Sequence, residues 1–540
     1  MAAVYPTVSA FDHRCVGITP RVTTDWLLTS AERHNPATRL HAWSDGNLAE
    51  PRVHGTEYFQ ELLDRVRDMR DGDLLLFTDW RGDPDELLAP GAPVSTTLCE
   101  AALRGVDVRG LIWRSHLDRL AFSAKENRHL GEDIEAAGGE CLLDMRVRTG
   151  GSHHQKFVVL RHPGRPERDI AFVGGIDLCH SRRDDEQHGG DAQRQPMAAV
   201  YGPRPPWHDA MVALRGPVVG AVETVFRERW EDPQPLSRSP LRRLAEVLRH
   251  EQRRAGPLPD QLPDPAPAGP HAVQLLRTYP SGRRYPFAPD GERSIALGYA
   301  KVLRRVRRLV YLEDQYLWSS DVARAFADAL RSHPDLHLIA VVPHHPDQDG
   351  RVSLPPNLLG RQRALDLLRA AGGDRVAVYG VENPSGVPIY VHAKVCVADD
   401  TWASIGSDNV NLRSWTHDSE LSAAVLDETL DAREPRDPAG LGDGARRYAR
   451  DLRLSLMREH LERHTDDGLV DPHEAFAAMR QSAEDLQAWY DGGRAGPRPP
   501  GRVRPLDAGA PVTAAWSRLL YQRLYDPDGR PRSLRRRGEF

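Results

Sequence analysis

Apolar residues recur along the chain in two rhythms, and the order of rhythms is written twice. In "GTEYFQELLDRVRDMRDG" and again in "GERSIALGYAKVLRRVRR" they fall three and four apart, the spacing of one helix face; Ile295, Tyr299, Val302, Leu303 and Val306 carry it in the second. Each stretch runs into a short apolar segment, "DLLLFTDW" or "LVYLEDQYLW", that predicts a strand. A further helix ("STTLCEAALRGV"; "DVARAFADALRSH") and strand ("DVRGLIWR"; "LHLIAVVPHH") follow in each block. Both blocks close with a strand headed by His-x-Lys, a glycine turn, and one more strand, "DAMVALRG" or "ELSAAVLD". Alternating helices and strands predict an α/β fold with mixed β-sheets flanked by helices, and the duplication predicts two pseudo-symmetric lobes.

Proline and glycine punctuate this pattern. The stretch 251–270, "EQRRAGPLPDQLPDPAPAGP", has no periodicity and reads as an extended linker. The expected division is an N-terminal segment (1–49), a first lobe (50–250), the linker (251–270), a second lobe (271–430) and a C-terminal helical extension (431–540). Tyr448, Leu452, Leu454, Met457 and Leu461 give that extension an amphipathic helix.

Charge narrows the partners. Lys plus Arg number 72 against 77 Asp plus Glu, a net charge of −5, which argues against a dedicated nucleic-acid binder. The basic patches "LRRVRRL" and "RPRSLRRRGEF" read first as solvated faces and second as contacts for anionic head groups. Five cysteines, odd in number and without a C-x-x-C pair, fit reduced thiols in the cytosol. The longest apolar runs, such as Leu338 to Val342, are strand-length, and the N-terminus lacks an export pattern. The expected location is cytoplasmic, peripheral at most on the inner membrane leaflet.

The chemistry lies in the repeated strand. Residues i and i+2 share a strand face, so His154 projects with Lys156 and His392 with Lys394, while Val391, Ala393, Val395 and Val397 face the other way. If the blocks meet face to face, two imidazoles and two ammonium groups converge on one cavity. That set suits a phosphodiester. Lysines neutralise the non-bridging oxygens, one imidazole attacks phosphorus, and the other protonates the leaving alcohol and then activates water. No metal or cofactor is needed for this. Asp209 and Glu420, each just before the last strand of its block, are candidates to fix the imidazole tautomers. The turn "GSDNVNLRS" adds Ser407 and Asn409. His153 reads as a neighbour on the opposite face rather than a metal ligand, and Cys396 as packing. Asp79, Glu313 and Asp314 end strands, where they line the cavity or cap a helix; Trp80, Trp318 and Trp415 are lipid contacts or core.

The two copies in register, with the flanks "FVGGIDLCHSRRDD", "PWHDAMVALRGP", "FRERW", "YLEDQYL" and "DSE", resemble the phospholipase D superfamily and its duplicated H-x-K-x4-D motif. The likeness is greatest to the catalytic core of the eukaryotic-type enzymes, without their N-terminal PX/PH membrane-targeting modules. The resemblance implies two α/β lobes with one active site at their interface. It implies hydrolysis of a glycerophospholipid such as phosphatidylcholine to phosphatidic acid and a free head-group alcohol, with transphosphatidylation to an alcohol acceptor as a variant. By carry-over, His154 is the nucleophile and His392 the acid/base. Lys156, Lys394 and Asn409 hold the phosphate, and Asp209 and Glu420 orient the histidines. Gly174, Gly175, Asp177, Asp399, Gly406 and Ser407 support the motif structurally, and Gln315 and Trp318 meet substrate. The expected partners are a phospholipid at a membrane surface and water or an alcohol; no nucleic acid is expected. A nuclease, a cardiolipin-synthase-like phosphatidyltransferase and a catalytically silent lipid-binding homologue are the competing readings. The last is motivated by a departure: where the second motif has Asp399, the first has Arg161. The segment after it reads as a hairpin turning at Pro163 and Gly164, which returns Asp169 toward the missing acid.

Overall fold

The computed structural model describes residues 20–114, 124–236, 254–350, 353–506, 512 and 515–540. The first nineteen residues of the expected N-terminal segment, and 251–253 of the linker, lie outside the described residues.

The repeat seen in the apolar pattern becomes a repeat in strand order. From the centre outward, the first lobe lays down Ser44–Val53, Ala210–Arg215, Ile170–Gly174, Phe157–Arg161, Leu74–Asp79, Asp107–Trp113 and Glu140–Asp144. The second lays down His271–Tyr279, Glu420–Asp427, Trp402–Gly406, Val395–Ala398, Leu309–Glu313, His337–Val341 and Val376–Val381 in the same order. In both lobes the three outer strands run parallel and the inner ones antiparallel. The fold class is therefore the expected α/β, and the two sheets are continuous. Ser44–Val53 pairs antiparallel with His271–Tyr279 (Ser44 opposite Val273, Asn47 opposite His271), giving one 16-stranded sheet. Ser44–Val53 begins upstream of residue 50 and is the seam strand of the first lobe. The C-terminal region adds helices Arg447–Leu461 and Pro472–Asp491 and also a strand, Val503–Pro505, at the outer edge of the second lobe.

Side-chain alternation divides the core between the two faces of the sheet. Phe157 and Val159 join Val395 and Val397 in one cluster beneath helices Val218–Trp230 and Arg447–Leu461. Val158 and Leu160 face Gly55–Arg67 and Val94–Leu103; Cys396 and Ala398 face Ser294–Arg305 and Ser320–Ser332. At roughly 1.5–3 kcal/mol for each large apolar side chain buried, these layers fix the strands that carry the motifs. The linker residues from 254 have no helix or strand but lie against the first lobe; Gln261 donates to the Gly220 carbonyl at 2.9 Å.

The Asp399/Arg161 difference is resolved in structural terms. Asp399, buried just beyond its strand, accepts from the backbone N–H groups of Arg307, Arg308 and Leu309 at 2.7, 2.8 and 2.9 Å, and so anchors the entrance to strand Leu309–Glu313. Arg161, equally buried, sits 3.1 Å from Glu223 and 3.4 Å from Asp169, and donates to the Pro263 carbonyl of the linker at 2.7 Å. Asp169 does return beside the motif position through a turn with Gly164 at φ 76°, but it pairs with Arg161 and accepts from the His162 N–H at 2.7 Å. The entrance to Leu74–Asp79 is held instead by Asp73, which accepts from the Arg70 N–H at 2.7 Å and pairs with Arg165. An anionic brace in one lobe corresponds to a cationic one in the other.

Removing either brace leaves buried groups unmatched. Asp399→Ala, which strips the acceptor from three N–H groups, is expected to cost about 2–4 kcal/mol, and Arg161→Ala about 3–5 kcal/mol. Arg161→Asp, although it restores the motif residue, is expected to be worse than Arg161→Ala, because it places a third carboxylate beside Glu223 and Asp169. Guanidinium unfolding midpoints of the three variants check the order; Arg161→Asp at or above the wild-type midpoint would show that the first lobe accepts an acid there.

Candidate active site

The His-x-Lys residues lie in extended chain just before their strands, and this frees their backbone to bond across the lobes. The His154 N–H donates to the Ser419 carbonyl of the second lobe at 2.9 Å, and the His392 N–H to the His208 carbonyl of the first at 2.7 Å. Tyr390–Val391 pairs in parallel with Trp207–His208, and His153 forms the matching parallel bridge to Ser419. Each bridge delivers the carboxylate that follows it. Glu420 lies 2.9 Å from His154 Nδ1, and Asp209 lies 2.6 Å from His392 Nδ1. The partnering is crossed: each imidazole is oriented by the opposite lobe.

The supporting turns explain their residues. Ser407 Oγ donates to Glu420 Oε2 at 2.6 Å and accepts from the Leu421 N–H at 3.0 Å. At the equivalent place in the first lobe stands Gly175, where a Cβ would lie 2.2 Å from Asp209 Oδ1. Gly406 is equally constrained, since a Cβ there would meet Ser422 Oγ at 1.8 Å; the neighbouring Gly174 would meet the Ala210 carbonyl at 2.4 Å. Lys156 Nζ donates to the His154 carbonyl at 2.8 Å and faces Asp177 at 3.6 Å. Lys394 Nζ donates to the His392 carbonyl and to Gln315 Oε1, the latter at 3.3 Å. Asn409 is buried with its Oδ1 unpartnered.

The family model described as Phospholipase D matches residues 135–256, which contain the first motif. Phospholipase D alpha 1 of Ricinus communis is 27% identical over 455 residues, covering 66% of this chain and 54% of that protein. Phospholipase D alpha 2 of Oryza sativa subsp. japonica is 26% identical over 531 residues, covering 78% and 60%. Over these stretches the chain is similar to the phospholipase D family. It spans about half the length of the curated relatives it matches. Among solved structures, phosphatidylserine synthase of Haemophilus influenzae Rd KW20 is similar over 76% of this chain and 86% of that one, with a TM-score of 0.49 and 12% identity.

The site is almost closed; among the two histidines and two lysines, His154 is the most exposed, at 14%. Closure and cation density set the protonation states. Burial, then the Lys156 and Lys394 ammonium groups, hold the His154 imidazole well below its usual range. Burial, Lys394, Arg182 and Lys156 do the same to His392. Burial pushes Glu420 up to about 8 and Lys394 down to about 8, and also raises Asp209. For Asp177, burial acts upward, but Lys156 and Arg182 outweigh it and hold the carboxyl below its usual value. A neutral imidazole whose Nδ1–H donates to a carboxylate presents a free lone pair at Nε2, the requirement for a nucleophile or a base.

Other residues singled out from sequence make the following contacts. Trp318 stacks on Tyr316 with centroids 3.9 Å apart, and its carbonyl accepts from Tyr521. Trp415 is core, stacked on Tyr299, whereas Trp80 packs edge-on to His154 at 6.2 Å. Asp314 ties turns by accepting from the Tyr316, Leu317 and Val410 N–H groups. Glu313 pairs with His208 and His460. Two residues join the site that were not singled out from sequence. Arg182 lies 4.0 Å over the Trp207 ring, which itself packs on His392, and Gln155 Nε2 donates to the Glu420 carbonyl at 3.1 Å. Arg182 sits inside the quoted stretch "FVGGIDLCHSRRDD" and Gln155 between His154 and Lys156, so proximity to the motif was the available signal.

The sign of the electrostatics is testable. Nitrogen-detected NMR of the imidazoles, assigned with His154→Gln and His392→Gln, is expected to show both rings neutral at pH 6.5, with protonation only below it. Lys394→Met removes a cation and is expected to move the His392 midpoint upward; an unchanged or lower midpoint would contradict the cationic origin of the shift.

Proposed function

We propose that this chain is a phospholipase D-type phosphodiesterase acting on a glycerophospholipid such as phosphatidylcholine, with His154 as nucleophile and His392 as acid and base. The observation that carries this reading is the crossed pair His154–Glu420 and His392–Asp209, two oriented imidazoles sharing the field of two lysines. The likeness to phospholipase D supports this class of chemistry, and the name of the relatives supports a phospholipid substrate.

In the ligand-free site the cations suppress imidazolium. A phosphodiester anion between Lys156 and Lys394, with the Asn409 side-chain amide on a phosphate oxygen, cancels that field and lets His392 carry a proton. His154 Nε2 attacks phosphorus as the phosphorus–oxygen bond to the head group breaks, and the His392 proton goes to the departing oxygen. The resulting phosphohistidine is then cleaved by water that gives its proton to His392, releasing phosphatidic acid and restoring neutral His154. An alcohol in place of water gives the transferred phosphatidyl ester. Gln315, which positions Lys394, contributes through the phosphate rather than the head group. Among the described residues no helix is long and apolar enough to cross a membrane; the proposal is a cytoplasmic protein that meets its lipid peripherally at the inner leaflet.

Phosphatidylcholine micelles supply the test. Wild type is expected to release equal amounts of choline and phosphatidic acid, and His154→Ala and His392→Ala each to lose roughly 10³-fold or more. Loss in only one variant would mean the half-sites do not act together. No turnover by wild type across several head groups, with nicking of supercoiled plasmid, would transfer the same chemistry to nucleic acid.

A further inference from the structure

The residue preceding Asp209 belongs to a second polar cluster that the proposed chemistry does not use. The rings of His54, His188 and His208 form a near-regular triangle, with centroids 5.1, 5.3 and 5.6 Å apart. Glu459 closes it. Its Oε2 lies 2.9 Å from His54 Nε2, and its Oε1 lies 2.9 Å from His188 Nε2 and 3.4 Å from His208 Nδ1. All four donor atoms fall within 4.8 Å of one another, and the three histidines are buried.

Two features separate this cluster from an ordinary buried ion-pair network. First, in two of the three rings the nitrogen turned toward Glu459 is selected by what the far nitrogen does. His208 Nε2 is held by Glu313 at 2.7 Å, and His188 Nδ1 lies 3.1 Å from the Trp207 carbonyl. A carboxylate or a carbonyl on the far side of an imidazole is the arrangement that fixes tautomer and orientation in metal-ligating histidines. Second, His208 Nδ1 is fully buried, is turned toward the centre, and makes no hydrogen bond. The single carboxylate does not satisfy three converging imidazoles, and a cation accepting all four lone pairs would.

We propose that His54 Nε2, His188 Nε2, His208 Nδ1 and a Glu459 oxygen form a binding site for one divalent transition-metal ion of the zinc class. Three imidazole nitrogens and one carboxylate oxygen are a borderline-soft set in the number a four-coordinate zinc takes, whereas calcium and magnesium take mainly oxygen donors. Metal–ligand bonds of about 2.0–2.1 Å put tetrahedral donors roughly 3.3 Å apart, so closure from separations within 4.8 Å needs contraction of up to about 1.5 Å at the widest pair. The four ligands come from separate places: the residue before helix Gly55–Arg67, the segment after strand Ile170–Gly174, the strand Trp207–His208, and helix Arg447–Leu461. The ion would therefore fasten the C-terminal region to the segment whose His208 carbonyl receives the His392 N–H and whose next residue orients that ring. Its role is structural, and it stands whether or not the chain turns over phospholipid.

The test uses the full-length protein and does not read activity. Chelator-stripped wild type is titrated with zinc chloride, with uptake followed by plasma mass spectrometry, and in parallel with cobalt chloride. Uptake of about one equivalent, the visible bands of four-coordinate cobalt, and a thermal midpoint raised by zinc but not by calcium or magnesium are expected. Glu459→Gln and His188→Ala, compared at matched circular dichroism, are expected to retain less than about a tenth of that uptake. If stripped wild type binds less than a tenth of an equivalent (about the level of adventitious metal) and its midpoint ignores zinc, the cluster is a hydrogen-bonded joint and the proposal is overturned. Wild type alone decides this, so the test does not depend on a variant that folds.

Discussion

The structure depends on the exchange of carboxylates between lobes. An imidazole is useful in this site only if its Nδ1 is held, and each is held by an acid that its own lobe does not supply: Glu420 for His154, Asp209 for His392. The acids reach across because the extended segments before each His-x-Lys strand pair in parallel with the segments before Glu420 and Asp209. That pairing in turn requires the sheets to be joined at Ser44–Val53 and His271–Tyr279, so that the lobes cannot rotate apart. Half of this molecule would contain every residue of a half-site and no oriented base.

Concentrating cations in a nearly closed space is costly to the free protein, and the arrangement shows how the cost is contained. Lys156 and Lys394 each turn onto the carbonyl of their own histidine and face acids or amides, Asp177 in one case and Gln315 in the other. The imidazoles answer by staying neutral rather than adding charge. On the proposed reading, a phosphodiester anion between the two lysines relieves that suppression by adding negative charge beside both imidazoles. Burial intended for binding and burial that depresses the histidines are the same physical fact.

Much of this was legible in the chain. The helix-to-strand rhythm located both lobes, and the period-2 register put Val395 and Val397 on a different face from Cys396, as the two core clusters bear out. What sequence left open was everything that depends on long-range pairing. Asp209 and Glu420 were identifiable as candidates, but their partners are 183 and 266 residues away, and nothing local distinguishes own-lobe from cross-lobe orientation. Strand Ser44–Val53, "SDGNLAEPRV", lacks the alternation of a strand because it is stabilised from both sides by backbone pairing rather than by a single apolar face. His54 and His188 carry no spacing signal either; they meet only because four segments converge on Glu459.

The Arg161 departure shows which parts of a duplicated motif physics constrains and which it leaves free. The histidine and lysine positions are tied to the proposed reacting centre, where exchanging a cation for an anion changes the field that both halves share. The seventh position along lies at the far end of the strand, where the requirement is only that buried polar groups find partners. Asp399 meets it by collecting backbone N–H groups; Arg161 meets it by collecting carboxylates and a linker carbonyl. Both are fully buried and both fasten their strand to what lies beside it. Since the contacts of Arg161 do not draw on Lys156, Asp177 or Glu420, the inverted charge at this end leaves the hydrogen bonds of the first half-site intact. The missing acid is therefore a change of brace, and the first lobe keeps its oriented imidazole.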